Sequence, residues 1–163
     1  MHETSDDLAA LQRLLDESQA SAGPHLRRIF TDERRLRADE LPALLPGVQV
    51  LNLATVNAAC EPRVAPVDGL FYRARFYFGS SADSVRWRHL RARPQASAAH
   101  TRGEQLAVVV HGTAVPIDPA EEAEAGFRRY LLEVYGDDWE DWGGDAPYAR
   151  IEPTRMYTFS SGG

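Results

Sequence analysis

The chain has no lysine and a single cysteine, Cys60. Without lysine there is no primary side-chain amine, so a Schiff base with pyridoxal phosphate or a carbonyl substrate is excluded. A P-loop built on a phosphate-binding lysine is excluded as well. All 18 basic residues are arginine. Any anion held by a side-chain cation is therefore held by a guanidinium, whose planar fork matches phosphate oxygens in pairs, or by one of the 5 histidines. One cysteine cannot close an intrachain disulfide, and it leaves no thiolate set for a zinc site. No metal site is expected. No apolar run approaches the roughly 18 residues that span a bilayer, so no membrane partner is expected. Met1 to Asp7 is polar and acidic rather than signal-like, and a cytoplasmic location follows by default. The net charge of −6 has the wrong sign for a nucleic-acid binder unless the basic residues cluster.

What is present is ordinary for a globular chain: 163 residues, 44% hydrophobic and 26% charged, the size of one domain or one domain with an extension. Ser5 precedes Asp6, Asp7 and an apolar series at Leu8, Leu11, Leu14 and Leu15. That spacing predicts an amphipathic helix capped by Ser5, ending near Ala22-Gly23-Pro24. A charged segment follows, and Asp39 is placed to cap a short helix through Leu41, Leu44 and Leu45. Residues 1–46 thus read as an N-terminal helical extension and 47–163 as the main domain.

From Val48 onward the pattern turns to strands. They are expected at Val48–Val56, Arg63–Tyr72, Arg75–Phe78, Gln95–Thr101, Gln105–Ile117 and Tyr148–Phe159. Pro66 and Gly69 place an irregularity or an edge in the second. A short helix is predicted at Val85–Ala92 and another from Asp118-Pro119 through Val134, before an acidic loop at 136–147 that carries Trp139 and Trp142. Six short antiparallel strands must hide their edges, and a closed or split barrel does this. The fold class expected is mainly β with peripheral helices.

The segment with most chemistry is Phe78-Gly79-Ser80-Ser81-Ala82-Asp83-Ser84-Val85-Arg86-Trp87-Arg88-His89-Leu90. A strand ends, small residues follow, and a helix begins. Free backbone N–H groups at a helix start attract an anion. Ser80, Ser81 and Ser84 add hydroxyls, Arg86 and Arg88 add charge, and Arg63 opens the neighbouring strand. Together they read as a phosphate cradle, against the plainer alternative of a serine-capped surface helix with solvated arginines.

The ordered series Arg63-Val64-Ala65-Pro66-Val67, Phe76-Tyr77-Phe78, then Ser84-x-Arg86-x-x-His89-Leu90-x-x-x-Pro94 resembles the pyridoxamine 5′-phosphate oxidase-like family over roughly residues 40 to 118. The resemblance implies a six-stranded antiparallel split β-barrel of the FMN-binding type, and an FMN-dependent oxidoreductase acting on a small-molecule substrate. It implies a homodimer with flavin at the interface. It assigns Arg63 and Arg86 to the FMN phosphate, and Ser80 and Ser84 to the phosphate and ribityl chain. Val64, Ala65 and Pro66 fall beside the isoalloxazine ring, with Gly79 allowing close approach. No catalytic side chain is assigned. An 8-hydroxy-5-deazaflavin coenzyme and haem remain open as alternatives, the first needing a longer basic groove through Arg88 and Arg91, the last a non-catalytic carrier. Three departures matter. Asp68 stands where the true oxidases have a lysine for the substrate phosphate, which argues against pyridoxamine phosphate as substrate. The chain end lacks their tryptophan-arginine-leucine segment. His89 replaces an asparagine.

Overall fold

The computed structural model describes residues 2–161. Met1, Gly162 and Gly163, which fall within the expected extension and main domain, lie outside the described residues. Six antiparallel strands close into a barrel in the order β1-β2-β3-β6-β5-β4: β1 Val48–Val56, β2 Pro62–Tyr72, β3 Arg75–Gly79, β4 Gln95–Arg102, β5 Leu106–Ile117 and β6 Tyr148–Ser160. The alternation that predicted β1 is the alternation of its burial: Gln49, Leu51, Leu53 and Thr55 face inward, while Val48 and Val50 face out.

Two seams of the barrel are short. β4 meets β1 only at Asn52–Ala54, and β3 meets β6 only at Tyr77–Gly79. The far half of β6 is thus left with an open edge, which helix α1 (Ser5–Ala20) and the chain after it cover. Ser18 Oγ accepts from the Met156 N–H at 3.0 Å. Thr158 Oγ1 accepts from the Leu36 N–H at 3.0 Å, and the Ser160 N–H donates to the Arg34 carbonyl at 2.7 Å. Leu11, Leu15, Leu36, Ala38, Leu41 and Leu45 join the same apolar core as Leu51, Phe76, Val108 and Ile151. Edge pairing and burial act together here, since an unpaired strand edge needs partners and the leucines need cover.

β2 also has an open half. It pairs with β1 over Pro62–Leu70, but with β3 only over Gly69–Tyr72. Pro66 lies in the open half, where a missing N–H costs nothing. In β6 the register against β5 slips at His111/Gly112. A Cβ on Gly112 would stand 2.1 Å from the Glu152 carbonyl oxygen, so the bulge requires glycine.

The peripheral helices differ from expectation at their ends. Thr4, not Ser5, caps α1: Thr4 Oγ1 accepts from the Asp7 N–H, and the Asp7 carboxylate accepts from the Thr4 N–H. The charged segment after α1 opens as α2 (Pro24–Ile29). The next short helix, α3 (Leu41–Leu44), follows Glu40 rather than Asp39. α4 (Val85–Ala92) has its expected bounds. The helix expected from Asp118 starts later, because the Asp118 carboxylate accepts from the Ala120 N–H and holds a turn there. A 3-10 turn at Glu122–Glu124 then leads into α5 (Ala125–Tyr135). The acidic loop contains one helical turn and more, α6 (Trp139–Gly143). α5 and α6 cover the outer face of β2, β3 and β6 through a second cluster of Leu70, Tyr77, Phe127, Leu131, Trp139 and Tyr148.

Candidate functional site

The open half of β2, the start of α4 and the inner face of β1 enclose a cleft of about 320 Å³. Register explains its walls. Leu53 pairs with Ala65 and Thr55 with Arg63, so all four project to one face. Across from them lie Ser80, Ser84, Val85, Arg86 and His89.

Arg86 organises this cleft. Its Nη1 donates to Ser80 Oγ at 2.8 Å, and its Nη2 to the Pro66 carbonyl at 3.1 Å. Ser80 Oγ in turn donates to Ser84 Oγ at 3.2 Å. Ser84 occupies the cap position of α4, yet its side chain makes no capping bond; the hydroxyl serves the serine–arginine chain instead. The loop is fixed from behind, where Trp87 Nε1 donates to the Ser80 carbonyl at 3.1 Å and stacks on Phe78. No carboxylate meets Arg86 among the described residues. Burial holds its guanidinium below the ordinary arginine value, so a half-buried positive charge is left without a counter-charge.

Arg63 lines the same cleft, but its guanidinium is 60% exposed and bound to Glu61 at 2.6 Å. His89 is held by Thr55, with Nδ1 2.9 Å from Thr55 Oγ1.

Of the residues expected at the site, Arg63, Ala65, Ser80, Ser84 and Arg86 share the cleft. Pro66 contributes its carbonyl to Arg86. Val64 projects from the opposite face of β2, 65% exposed. Gly79 does permit a close approach, though to the Tyr148 ring, which a Cβ would meet at 2.7 Å. Ser81 and Arg88 are exposed and outside the cleft walls. Leu53, Thr55, Val85 and His89 complete the lining without having been assigned to it. Only strand register reveals the first two, and one helical turn from Arg86 reveals the last.

Other side chains of interest sit elsewhere. Trp139 is fully buried, with Nε1 donating to the Tyr148 hydroxyl at 3.1 Å, so it packs on the barrel. Trp142 is 60% exposed, edge-on to Tyr135. His100 and His111 are engaged by the Val50 carbonyl and Ser97 Oγ. Cys60 is exposed in the β1–β2 turn. Among the described residues no group of three His, Cys, Asp or Glu is placed to hold a metal ion, and no helix is long and apolar enough to cross a membrane.

The pyridoxamine 5′-phosphate oxidase family model matches residues 38–159. The chain belongs to this family. Its six-stranded barrel is the family's split barrel. By sequence, no curated protein matches it. By structure it is similar to Rv2991, a conserved hypothetical protein of Mycobacterium tuberculosis, at 18% identity and TM-score 0.61 over 80% of this chain and 88% of that one. It is similar to an FAD-binding protein of Mesorhizobium loti at 21% identity and TM-score 0.60, over 79% and 98%. It is also similar to the haem storage protein HutZ of Vibrio cholerae at 19% identity and TM-score 0.58, over 69% and 88%. At these identities the likeness is one of fold.

Proposed function

We propose that the cleft grips the phosphate of FMN and that the protein is a homodimeric FMN-dependent oxidoreductase. The observation that carries this reading is Arg86: a half-buried guanidinium with no carboxylate, chained to two serine hydroxyls at the mouth of a cleft. An anionic ester supplies the missing counter-charge. Arg63 releases Glu61 or shares it, and adds a second fork. Ala65 and the Pro66 carbonyl continue the wall on which the flavin ring rests, with Val64 on the outward face of the same stretch. Bound there, the flavin supplies hydride transfer, while the protein supplies anchoring and orientation.

Two further features support parts of the reading. Asp68 has no ion pair among the described residues and is exposed. It lies with Val50 on the outer face of the sheet, away from the cleft walls. At the position where the true oxidases have a lysine, its charge repels a substrate phosphate, which argues against pyridoxamine phosphate as the substrate. Val48, Val50 and Val64 lie on the outer face of β1 and β2 with 40%, 56% and 65% exposure. A second copy of this chain covers such a row in the dimer.

Titrating the apoprotein with FMN, a deazaflavin coenzyme and haem in parallel tests the cofactor. Bound FMN shows bands near roughly 375 and 450 nm, and a single band near roughly 400–420 nm marks deazaflavin or haem. Saturable FMN binding, with bleaching by a hydride donor and recovery in air, is the expected result. Tighter binding of haem or deazaflavin than of FMN overturns the assignment. Sedimentation analysis of the holoprotein checks the dimer.

A further inference from the structure

We infer that His89 is a phosphate ligand in this cleft, and that it makes the site selective for a flavin ending in a phosphate monoester. The inference rests on the flavin-phosphate reading above and deepens it. His89 lies one helical turn beyond Arg86 and lines the same cleft. Its ring is fixed at one end, because Nδ1 meets Thr55 Oγ1 at 2.9 Å and Thr55 is only 3% exposed on the inner face of β1. The geometry allows Thr55 to donate to Nδ1, and in that arrangement the ring proton resides on Nε2. Nε2 has no partner among the described residues, and it is not among the buried unpaired atoms. It is a positioned donor open to the cleft. Three sources of donors then come from three places: Arg63 on β2, Arg86 with its serines at the start of α4, and His89 a turn later. A terminal monoester offers three free oxygens and close to two charges. A phosphate esterified on both sides offers two oxygens and one charge, and leaves one donor source unused.

Asparagine and glutamine separate the ligand role from a structural one. The amide of asparagine reaches about as far as Nδ1, and that of glutamine about as far as Nε2. His89→Asn therefore keeps the Thr55 contact and loses the cleft donor, and His89→Gln does the reverse. Dissociation constants are measured for FMN, for riboflavin, which has the same ring without phosphate, and for FAD. For His89→Asn, FMN affinity is expected to fall roughly tenfold, the scale of one hydrogen bond to a charged group, with riboflavin unchanged. His89→Gln recovers part of that loss. The wild-type protein prefers FMN to FAD, and His89→Asn narrows that preference. Thr55→Val, which frees the ring, loses a smaller share of FMN affinity. An equal fall for FMN and riboflavin, or wild-type behaviour in His89→Asn, overturns the role of His89 while leaving the cleft intact. Tighter binding of FAD than of FMN overturns the monoester selectivity. Equal wild-type affinity for FMN and riboflavin instead removes the phosphate reading itself, and this inference with it.

Discussion

Two of the arginine-lined clefts on this molecule differ in one respect. The cleft between β2 and α4 holds Arg63, Arg86 and His89. A second cleft, of about 390 Å³, lies beside the β2–β3 turn and holds Arg73, Arg75 and Arg150. In the second, every guanidinium meets a carboxylate. Arg73 pairs with Asp7 at 3.0 Å, Arg75 with Glu152 at 2.9 Å, and Arg150 with Glu124 at 2.7 Å and Glu152 at 2.5 Å. In the first, Arg86 meets only a hydroxyl and a carbonyl. The titration shifts follow the same division. Burial lowers the Arg86 value with nothing to offset it. Burial is also the largest single influence on Arg150 and acts to lower it, but the hydrogen bond and charge of Glu152, together with the charges of Tyr77 and Glu124, outweigh it and leave the value raised. Arginine content therefore does not mark a binding site; uncompensated burial does. The compensated cleft is a tie between α1, the β2–β3 turn, β6 and the segment before α5. The uncompensated one invites an anion.

The comparison breaks most directly at the two central arginines. Arg86→Ala is expected to weaken FMN binding by about 1.5–3 kcal/mol, the scale of a charge-assisted hydrogen bond, as read by fluorescence titration. Arg63→Ala acts in the same direction, and the double variant loses less than the sum if both forks share one phosphate. Next in size, Arg150→Met is expected to destabilise the fold by about 1–2 kcal/mol, the cost of stranding carboxylates at partly exposed pairs, without changing FMN affinity. Arg86→Met, by contrast, should leave the apoprotein at least as stable as wild type in urea unfolding. If both variants lose equal stability, the two clefts are of one kind and the distinction falls.

A smaller effect sharpens the description of the paired cleft. Burial pushes the Glu152 carboxyl up, but the hydrogen bonds and charges of Arg150 and Arg75 together more than reverse this and leave it below the ordinary value. For Asp7, burial likewise raises it, and bonds from Arg73 and Thr4 bring it below. A carboxyl depressed in the folded chain contributes stability above its unfolded value and loses it as pH falls through the folded one. Thermal melting is therefore expected to drop as pH falls through the carboxylate range, and to drop less steeply in Glu152→Gln. An identical slope in that variant removes Glu152 from the account.

The smallest effect concerns the turn beneath that cleft. Arg73 and Ala74 both adopt left-handed backbone, at φ 47° and 64°. Arg73→Gly gives up the Asp7 pair but relieves a backbone cost of about 1 kcal/mol, so its net stability change should stay within about 0.5 kcal/mol. Arg73→Ala gives up the pair with no relief and should be the less stable of the two in the same melt.

Much of this was legible in order along the chain. The alternation of Val48 to Val56, the β-rich Val108-Val109-Val110 and the bounds of α4 follow from local pattern, because each residue's neighbours at two or at three and four positions decide its face. Local signals failed where side chains competed for the backbone. Asp118 held a turn instead of starting a helix, and Thr4 took the cap expected of Ser5. The candidate site was legible in part. Arg63, Ser80, Ser84 and Arg86 stood out by type and spacing, whereas Leu53 and Thr55 entered the cleft only through the pairing of β1 with β2. Nor did the chain's order show that Trp139, in the acidic loop, is buried with its indole N–H on the Tyr148 hydroxyl.

By itself the sequence settled the chemistry available: no amine nucleophile, no thiolate cluster, anions met by guanidinium or imidazole, six strands and one serine-rich turn into a helix. Only the tertiary structure decided which arginines are satisfied. The counter-charges come from far along the chain, Asp7 to Arg73, Arg75 to Glu152, Glu124 to Arg150. Such pairs depend on how the barrel closes and on where α1 covers its open edge. Compensation of charge is a property of distance in space, and spacing along the chain does not contain it.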